Sequence, residues 1–490
     1  MSHNPTIEEM LIGEHESIRQ GLKIIDQNAQ GTCFVVNQNN QLTGVITDGD
    51  IRRALISGKN LDSPVAEIME KNFTALSVNT PVDVIQSKIS DKIRHIPLID
   101  QNNVPVDYAC YSRAHRIPVM TPLLNGNELA YVTECVKTGW ISSQGAFVKK
   151  FEKNFGEYTQ CQHALAVSNG TVAIHLALEA LGIGPGDEVI VPDITFAASI
   201  NAVIYCGATP VIADVDPETW TLSANEIEPL ISEKTKAIMP VHLYGHPCDM
   251  DPIMELARQN ELLVIEDCAE ALGTLYKGKH VGTFGDAGTF SFFGNKTITT
   301  GEGGMVLFRN ETILNHATVL RDHGMSKNKR YWHEFIGFNY RLTNLQAAIG
   351  VAQMERLNEF VSAKRRIAGI YNNGLKKLKG ITIPPNKDWA FNGYWLYTFL
   401  VDENFGVSRD ELIEKMMKNG VETRPLFFPL HIMPPYQQYV KSDQKFPVSD
   451  RLSKLGISLP SSVNIEASEQ ENILKFIEGI YQTRKLKINN

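Results

Sequence analysis

The chain has 490 residues, 43% of them apolar and 21% charged. Single cores stop growing near about 250–300 residues, so the length calls for two or three domains. The near-average composition excludes wholesale disorder and fibrous repeats. With 47 Lys+Arg against 55 Asp+Glu, the net charge is −8, which argues against a protein built to grip phosphate backbones. Met1-Ser2-His3-Asn4-Pro5 lacks the basic and apolar regions of a signal peptide, and no apolar run reaches the roughly 18 residues of a bilayer span. The seven cysteines are scattered, with no Cys-x-x-Cys pair. These features lead us to expect a cytoplasmic chain with reduced thiols, no metal centre, no membrane association and no nucleic-acid partner.

The first hundred-odd residues carry an internal repeat. Phe34-Val35-Val36-Asn37-Gln38-Asn39-Asn40 matches Pro97-Leu98-Ile99-Asp100-Gln101-Asn102-Asn103, 63 positions later. Each copy reads as a short apolar strand and a polar turn, and the first continues into Gly44-Val45-Ile46. Asp48 and Asp50 then precede a helical pattern through Leu55. With Gly44-x-x-Thr47-x-x-Asp50, the region (1–115) resembles a tandem pair of CBS modules, small repeats that often bind adenine nucleotides. The resemblance implies that Thr47 and Asp50 would meet ribose and phosphate. The second copy departs from it, because the same offset puts Cys110 and Arg113 at those positions. One nucleotide site at most is expected, and a purely structural role has equal weight.

From about 116 the pattern becomes α/β. Strand-like runs 188–191, 210–213, 237–241 and 262–265 alternate with helical segments, which implies a mainly parallel sheet. In such sheets ligands gather beyond the carboxyl ends of the strands. We expect a large domain over 116–363 and a smaller α+β domain over 364–490.

Four local features lie where a phosphorylated aromatic cofactor would want them. Ser168-Asn169-Gly170-Thr171 opens a helical run, where Ser or Asn can cap and Gly lets an anion approach free N–H groups. Alone this is an ordinary cap. Val264-Ile265-Glu266-Asp267-Cys268-Ala269-Glu270 delivers carboxylates at a strand end, where burial needs a cationic partner. Ser291-Phe292-Phe293-Gly294-Asn295-Lys296 sets one Lys among aromatic residues before a Gly-rich loop, and a desolvated Lys suits Schiff-base chemistry. Phe196, just past the 188–191 strand, offers a ring to stack on a flat cofactor. Together they match the needs of pyridoxal phosphate: an anion cradle, a carboxylate for the ring nitrogen, a stacking ring and an amine.

With Ser291 to Gly304, His242-Leu243-Tyr244-Gly245-His246-Pro247-Cys248-Asp249-Met250 and Gly337-Phe338-Asn339-Tyr340-Arg341-Leu342-Thr343-Asn344, the region 118–485 resembles the fold-type I sugar aminotransferases acting on nucleotide-linked 4-keto sugars. The resemblance implies catalytic roles for Lys296 and Asp267. Lys296 would hold the cofactor as an internal aldimine and shuttle a proton; Asp267 would pair with the pyridinium nitrogen. Ser168, Asn169, Gly170, Thr171 and Ser291 would surround the phosphate, Phe196 would lie on the ring, and Glu270 would sit near the ring hydroxyl. Many members carry Gln at that last position, so Glu marks a subgroup.

The resemblance also implies that Asn339 of the partner subunit reaches the phosphate, hence a homodimer with shared active sites. For the nucleotide sugar it points to Trp140, His242, Tyr244, Arg330, Tyr331, Arg424 and His431. The implied reaction moves an amino group from L-glutamate to C4 of GDP-4-keto-6-deoxymannose. The rivals are the same transfer to a UDP-linked 4-keto-6-deoxy N-acetylhexosamine, a 3-dehydratase, and a nucleotide-sensing regulator. Lys296 argues against the dehydratase, whose branch carries His there. The intact Lys296, Asp267 and 168–171 set argues against the regulator.

Overall fold

The computed structural model describes residues 5–90, 93–110 and 117–488. They fall into two compact units, one running to Ile117 together with Lys415–Gly420, the other comprising Pro118–Glu414 with the chain from Val421. The expected boundary at 115/116 and Arg113 lie outside the described residues.

The first unit repeats itself. Strand β1 (Leu11–Gly13) runs parallel to β2 (Thr32–Val36), which pairs antiparallel with β3 (Leu42–Thr47). Then β4 (Leu76–Ser77) runs parallel to β5 (His95–Ile99), antiparallel to β6 (Pro105–Cys110). Both ends of β2 and β3 recur 63 residues later in β5 and β6, and each hairpin has a register shift at the matching place. The copies meet where Thr32 Oγ1 lies 3.2 Å from His95 Nδ1, two residues related by that same offset. In the first copy Thr47 and Asp50 form a capping box on the helix Asp48–Ile56, satisfying N–H groups at its start. Asp50 Oδ2 accepts from Thr47 N and Oγ1 at 2.8 and 2.6 Å, and Oδ1 pairs with Arg53 at 2.5 Å. An open cleft beside them is lined by Thr32, Thr47, Asp50, Arg53, Arg94 and His95. In the second copy Cys110 ends β6, buried.

The second unit is built on a seven-stranded sheet made of β7 (Ala164–Val167), β8 (Glu188–Pro192), β9 (Thr209–Ala213), β10 (Thr235–Ile238), β11 (Leu263–Asp267), β14 (Ala287–Ser291) and β15 (Gly304–Phe308). Between β11 and β14 the chain makes a hairpin of β12 (Leu275–Tyr276) and β13 (Lys279–His280). The order across the sheet is β7-β15-β14-β11-β10-β8-β9, parallel from β9 to β14 and antiparallel on both sides of β15. The strands read as unbroken apolar runs because both faces are covered. Alternation still sorts them: Ile190 and Val264 pack on one face, Val189, Val191 and Ile265 on the other.

Beyond the sheet come the helix Leu357–Leu375 and strands β16 (Ile381–Thr382), β17 (Ala390–Phe391), β18 (Tyr397–Val401), β19 (Arg424–Pro425) and β20 (Gly456–Leu459). Four of these form an antiparallel sheet ordered β16-β18-β20-β19, while β17 joins β12. The 363/364 position falls inside that helix, and this sheet clusters with the larger one in a single unit. Among the described residues no helix is long and apolar enough to cross a membrane.

Candidate active site

Two adjacent carboxylates end β11, and the pleat sends them to opposite faces. Glu266 is consumed structurally. It accepts the N–H groups of Gly282, Phe284 and Gly285 at 2.7–2.8 Å, and His242 Nε2 lies 3.1 Å away. Asp267 shares the face of Ile265, where the helix Ala198–Tyr205 packs. Its Oδ2 accepts from Ser199 Oγ at 2.8 Å and its Oδ1 from Ala269 N at 3.0 Å. Ser199 is itself held by Thr195, 2.9 Å away. Asp267 is buried, and each oxygen keeps a lone-pair position for a further donor.

Past the end of β14, Lys296 turns back over this strand edge. Its Nζ stands 3.8 Å from Glu270 Oε1, with both side chains nearly enclosed. Burial pulls the Lys296 amine below the ordinary lysine range, opposed by Glu270 and Asp267. Burial likewise pushes Glu270 up to about 7, opposed by Lys296 and by the Tyr244 N–H that Glu270 Oε2 accepts at 2.9 Å. Tyr244 donates that bond from a left-handed backbone, φ 52°, a conformation that costs a β-carbon-bearing residue about 1–2 kcal/mol. Its ring is stacked between Trp395 and Phe427, with centroids 5.9 and 5.4 Å apart.

The candidate anion cradle lies at the start of the helix Gly170–Ala180. Asn169, rather than Ser168, is the cap, accepting Val172 N at 3.0 Å. The Ser168 N–H instead donates to the Tyr340 carbonyl at 2.9 Å. A Cβ on Gly170 would come within 2.7 Å of Ser291 Cβ, so only glycine lets β14 bring the Ser291 hydroxyl onto the helix start. Thr171 follows in the first turn. Phe196 is 62% exposed and offers a free ring face. The donor set therefore fits pyridoxal phosphate: N–H groups and a hydroxyl for its phosphate, a buried carboxylate for its nitrogen, an open ring, and an enclosed amine of lowered basicity.

The expected sugar contacts divide. His242 is fully buried, its Nε2 facing Glu266 and its Nδ1 accepting Cys248 N at 3.0 Å, so it supports the strand end and is corrected as a substrate contact. Tyr244 is also buried and acts through Glu270. Trp140 is exposed, as are Arg330 and Tyr331, which pack together with the guanidinium 4.9 Å from the ring. Arg424 is half-buried beside Glu422 at 3.5 Å. His431 is pinned by the buried Asp193, whose carboxylate accepts from its N and lies 2.7 Å from its Nδ1, and its ring stacks on Phe446. Asn339 is exposed, its amide oxygen accepting from Arg341. Ser199 and Trp395 carry no local motif and emerge only in three dimensions.

Comparison with known proteins gives the family. The model of the DegT/DnrJ/EryC1/StrS aminotransferase family matches residues 122–478, and that of the CBS domain matches 1–57. GDP-perosamine synthases of Caulobacter vibrioides and Escherichia coli O157:H7 are 48% and 49% identical over 368 residues, covering 74% and 75% of this chain and 98% and 99% of theirs. Among solved structures, the aminotransferase TlmJ from Streptoalloteichus hindustanus matches with TM-score 0.70 and 31% identity over 75% of this chain and 99% of its own. S. venezuelae DesV in complex with a ketimine intermediate matches with TM-score 0.69 and 32% identity over 72% and 94%. The chain belongs to the DegT/DnrJ/EryC1/StrS aminotransferase family, is a pyridoxal-phosphate-dependent sugar aminotransferase, and carries a CBS domain at its N-terminus.

Proposed function

We propose that the protein transfers an amino group from L-glutamate to C4 of GDP-4-keto-6-deoxymannose, forming GDP-perosamine for a surface polysaccharide such as an O-antigen. The observation that carries this is the enclosed Lys296 amine beside Glu270 and Asp267, on a chain nearly half identical to two proteins named for that product. When bound, pyridoxal phosphate supplies an aldehyde that takes up and returns the amino group and a ring that accepts electrons.

The residues divide the remaining work. The N–H groups of Gly170 and Thr171 and the Ser291 hydroxyl bind the phosphate at a helix N-terminus. Asp267, oriented by Ser199, keeps a proton on the ring nitrogen. Phe196 covers the ring face and excludes water. Lys296 would hold the group at its aldehyde carbon, and its Nζ, when free, would carry the proton between that carbon and C4 of the sugar. Glu270, held near neutrality in its proton affinity, donates to the ring hydroxyl when protonated. Trp140, Arg330, Tyr331, Arg424 and His431 are assigned to the nucleotide sugar, Arg suiting a diphosphate through its two-pronged donor geometry.

Asn339 of the partner subunit completes the phosphate site in a cytoplasmic homodimer. The same loop carries Tyr331, Trp332 and Ile336, respectively 75%, 54% and 95% exposed, an apolar surface suited to a second copy. Replacing Lys296 by Ala abolishes turnover and the visible absorbance of the loaded enzyme; a fully active variant refutes the assignment. A second role, nucleotide control through Thr47 and Asp50, is favoured by the cleft that also presents Arg53 and Arg94. Calorimetry with ATP, AMP and GDP tests it, with heat lost in Asp50→Ala; no heat for any of them leaves the structural role.

A further inference from the structure

Lys296 faces more than carboxylates. Its Nζ lies 3.8 Å from the centroid of the Trp395 ring, so the amine sits between an indole face and Glu270 Oε1. Trp395 is fixed at three points, two on its indole and one on its backbone. Its Nε1 donates to the carbonyl of Asn295, the residue before Lys296, at 2.6 Å. Its face stacks on Tyr244 with the planes 11° apart, and Tyr244 in turn holds Glu270 through its N–H. The Trp395 carbonyl accepts from Lys364 Nζ at 2.9 Å. Lys364 is 1% exposed; it also donates to the Ser461 carbonyl at 2.5 Å and lies 3.0 Å from Met120 Sδ. A buried amine with two carbonyls and a thioether around it serves as a tie for the chain segments it joins.

In one half of a transamination the catalytic lysine is free of the cofactor, yet it must stay in place to move a proton and to rejoin. A free ammonium in this enclosed site is costly unless something offsets the lost water. A carboxylate does so, and so does an aromatic face, which attracts the charged form alone.

We propose that Trp395 is a positioning residue for Lys296, holding its amine beside Glu270 whenever it is not joined to the cofactor, and that Lys364 fixes Trp395 in that place. The proposal rests on Lys296 being the cofactor lysine. The groups that charge this amine are then the indole face, Glu270 and Asp267, and removing the ring releases the proton at lower pH.

The test follows the return of visible absorbance when pyridoxal phosphate is added to the cofactor-free full-length enzyme across a pH series. The rate rises as the amine loses its proton, and the midpoint reports that loss. For Trp395→Leu the midpoint falls by about one pH unit, the size set by a desolvated cation–π contact. Trp395→Phe, which keeps an aromatic face and is the milder change, lies between Leu and the parent. Lys364→Met shifts the midpoint the same way without touching Lys296. In all three, kcat falls while KM for the nucleotide sugar holds. A midpoint unmoved in Trp395→Leu, or in the folded Trp395→Phe variant if Leu does not fold, overturns the positioning role. Visible absorbance surviving Lys296→Ala overturns the reading of Lys296 itself, so the two failures are distinct.

Discussion

Gly170→Ala separates a glycine kept for packing from one kept for an anion. The added Cβ would lie 2.7 Å from Ser291 Cβ and 3.0 Å from its Oγ, closer than carbon atoms approach, and Ser291 is anchored in β14. Ser291 must move off the helix start. Overpacking of this kind costs about 1–3 kcal/mol, and alanine at the first position of the helix Gly170–Ala180 regains less than the about 1 kcal/mol of helix propensity of an interior site. The net loss of stability of the cofactor-free protein is therefore at most about 3 kcal/mol. Cofactor binding suffers more, because a displaced hydroxyl forfeits a hydrogen bond to a charged group, about 1.5–3 kcal/mol. Affinity for pyridoxal phosphate should fall on the order of 10- to 100-fold. The assay is a cofactor titration by absorbance, run beside urea unfolding of the cofactor-free protein. Unchanged affinity with a clear loss of stability would refute the cradle, since Gly170 would then serve packing alone.

Glu270 has its proton affinity raised from the ordinary 4.5 to about 7, so between those pH values the folded protein holds a proton that the unfolded chain releases. Its contribution therefore weakens as pH rises through that window, by about 3 kcal/mol in all, and urea midpoints of Glu270→Gln should lack that slope. A mixture of Lys296→Ala and Asn339→Ala chains, unfolded and refolded together, should recover turnover that neither has alone, because one site of each mixed dimer then has both residues; no recovery argues that Asn339 serves its own chain. His431→Ala leaves the fully buried Asp193 without its imidazole and should destabilise the protein by about 3–5 kcal/mol, read by denaturant unfolding at pH 7.

Much of the fold was legible because both signals behind it are local. The apolar runs at 188–191, 210–213 and 262–265 fall within or beside β8, β9 and β11, and the 63-residue offset returns in the ends of β5 and β6. The candidate cofactor residues stand out in the sequence for the same reason, since a cap, a strand end and a Gly-rich loop each announce themselves within a few positions. What the sequence conceals is which way a side chain points and what lies against it. Glu266 and Asp267 are equivalent on paper, and only the pleat assigns one to three loop N–H groups and the other to Ser199. His242, expected to meet the substrate, is fully buried. Lys364 and Trp395 are separated from Lys296 by 68 and 99 positions, and no periodicity links them. The division at 363/364 follows a change of pattern that the continuous helix Leu357–Leu375 does not respect.

The substrate and the carbon aminated are read out together by mass spectrometry and NMR of the products formed from glutamate, pyridoxal phosphate and a panel of GDP- and UDP-linked 4-keto-6-deoxy sugars. The enzyme should form a 4-amino product from GDP-4-keto-6-deoxymannose, with matching formation of 2-oxoglutarate. Amination of a UDP-linked N-acetylhexosamine ketone, with none of the GDP-linked one, would contradict the proposed function.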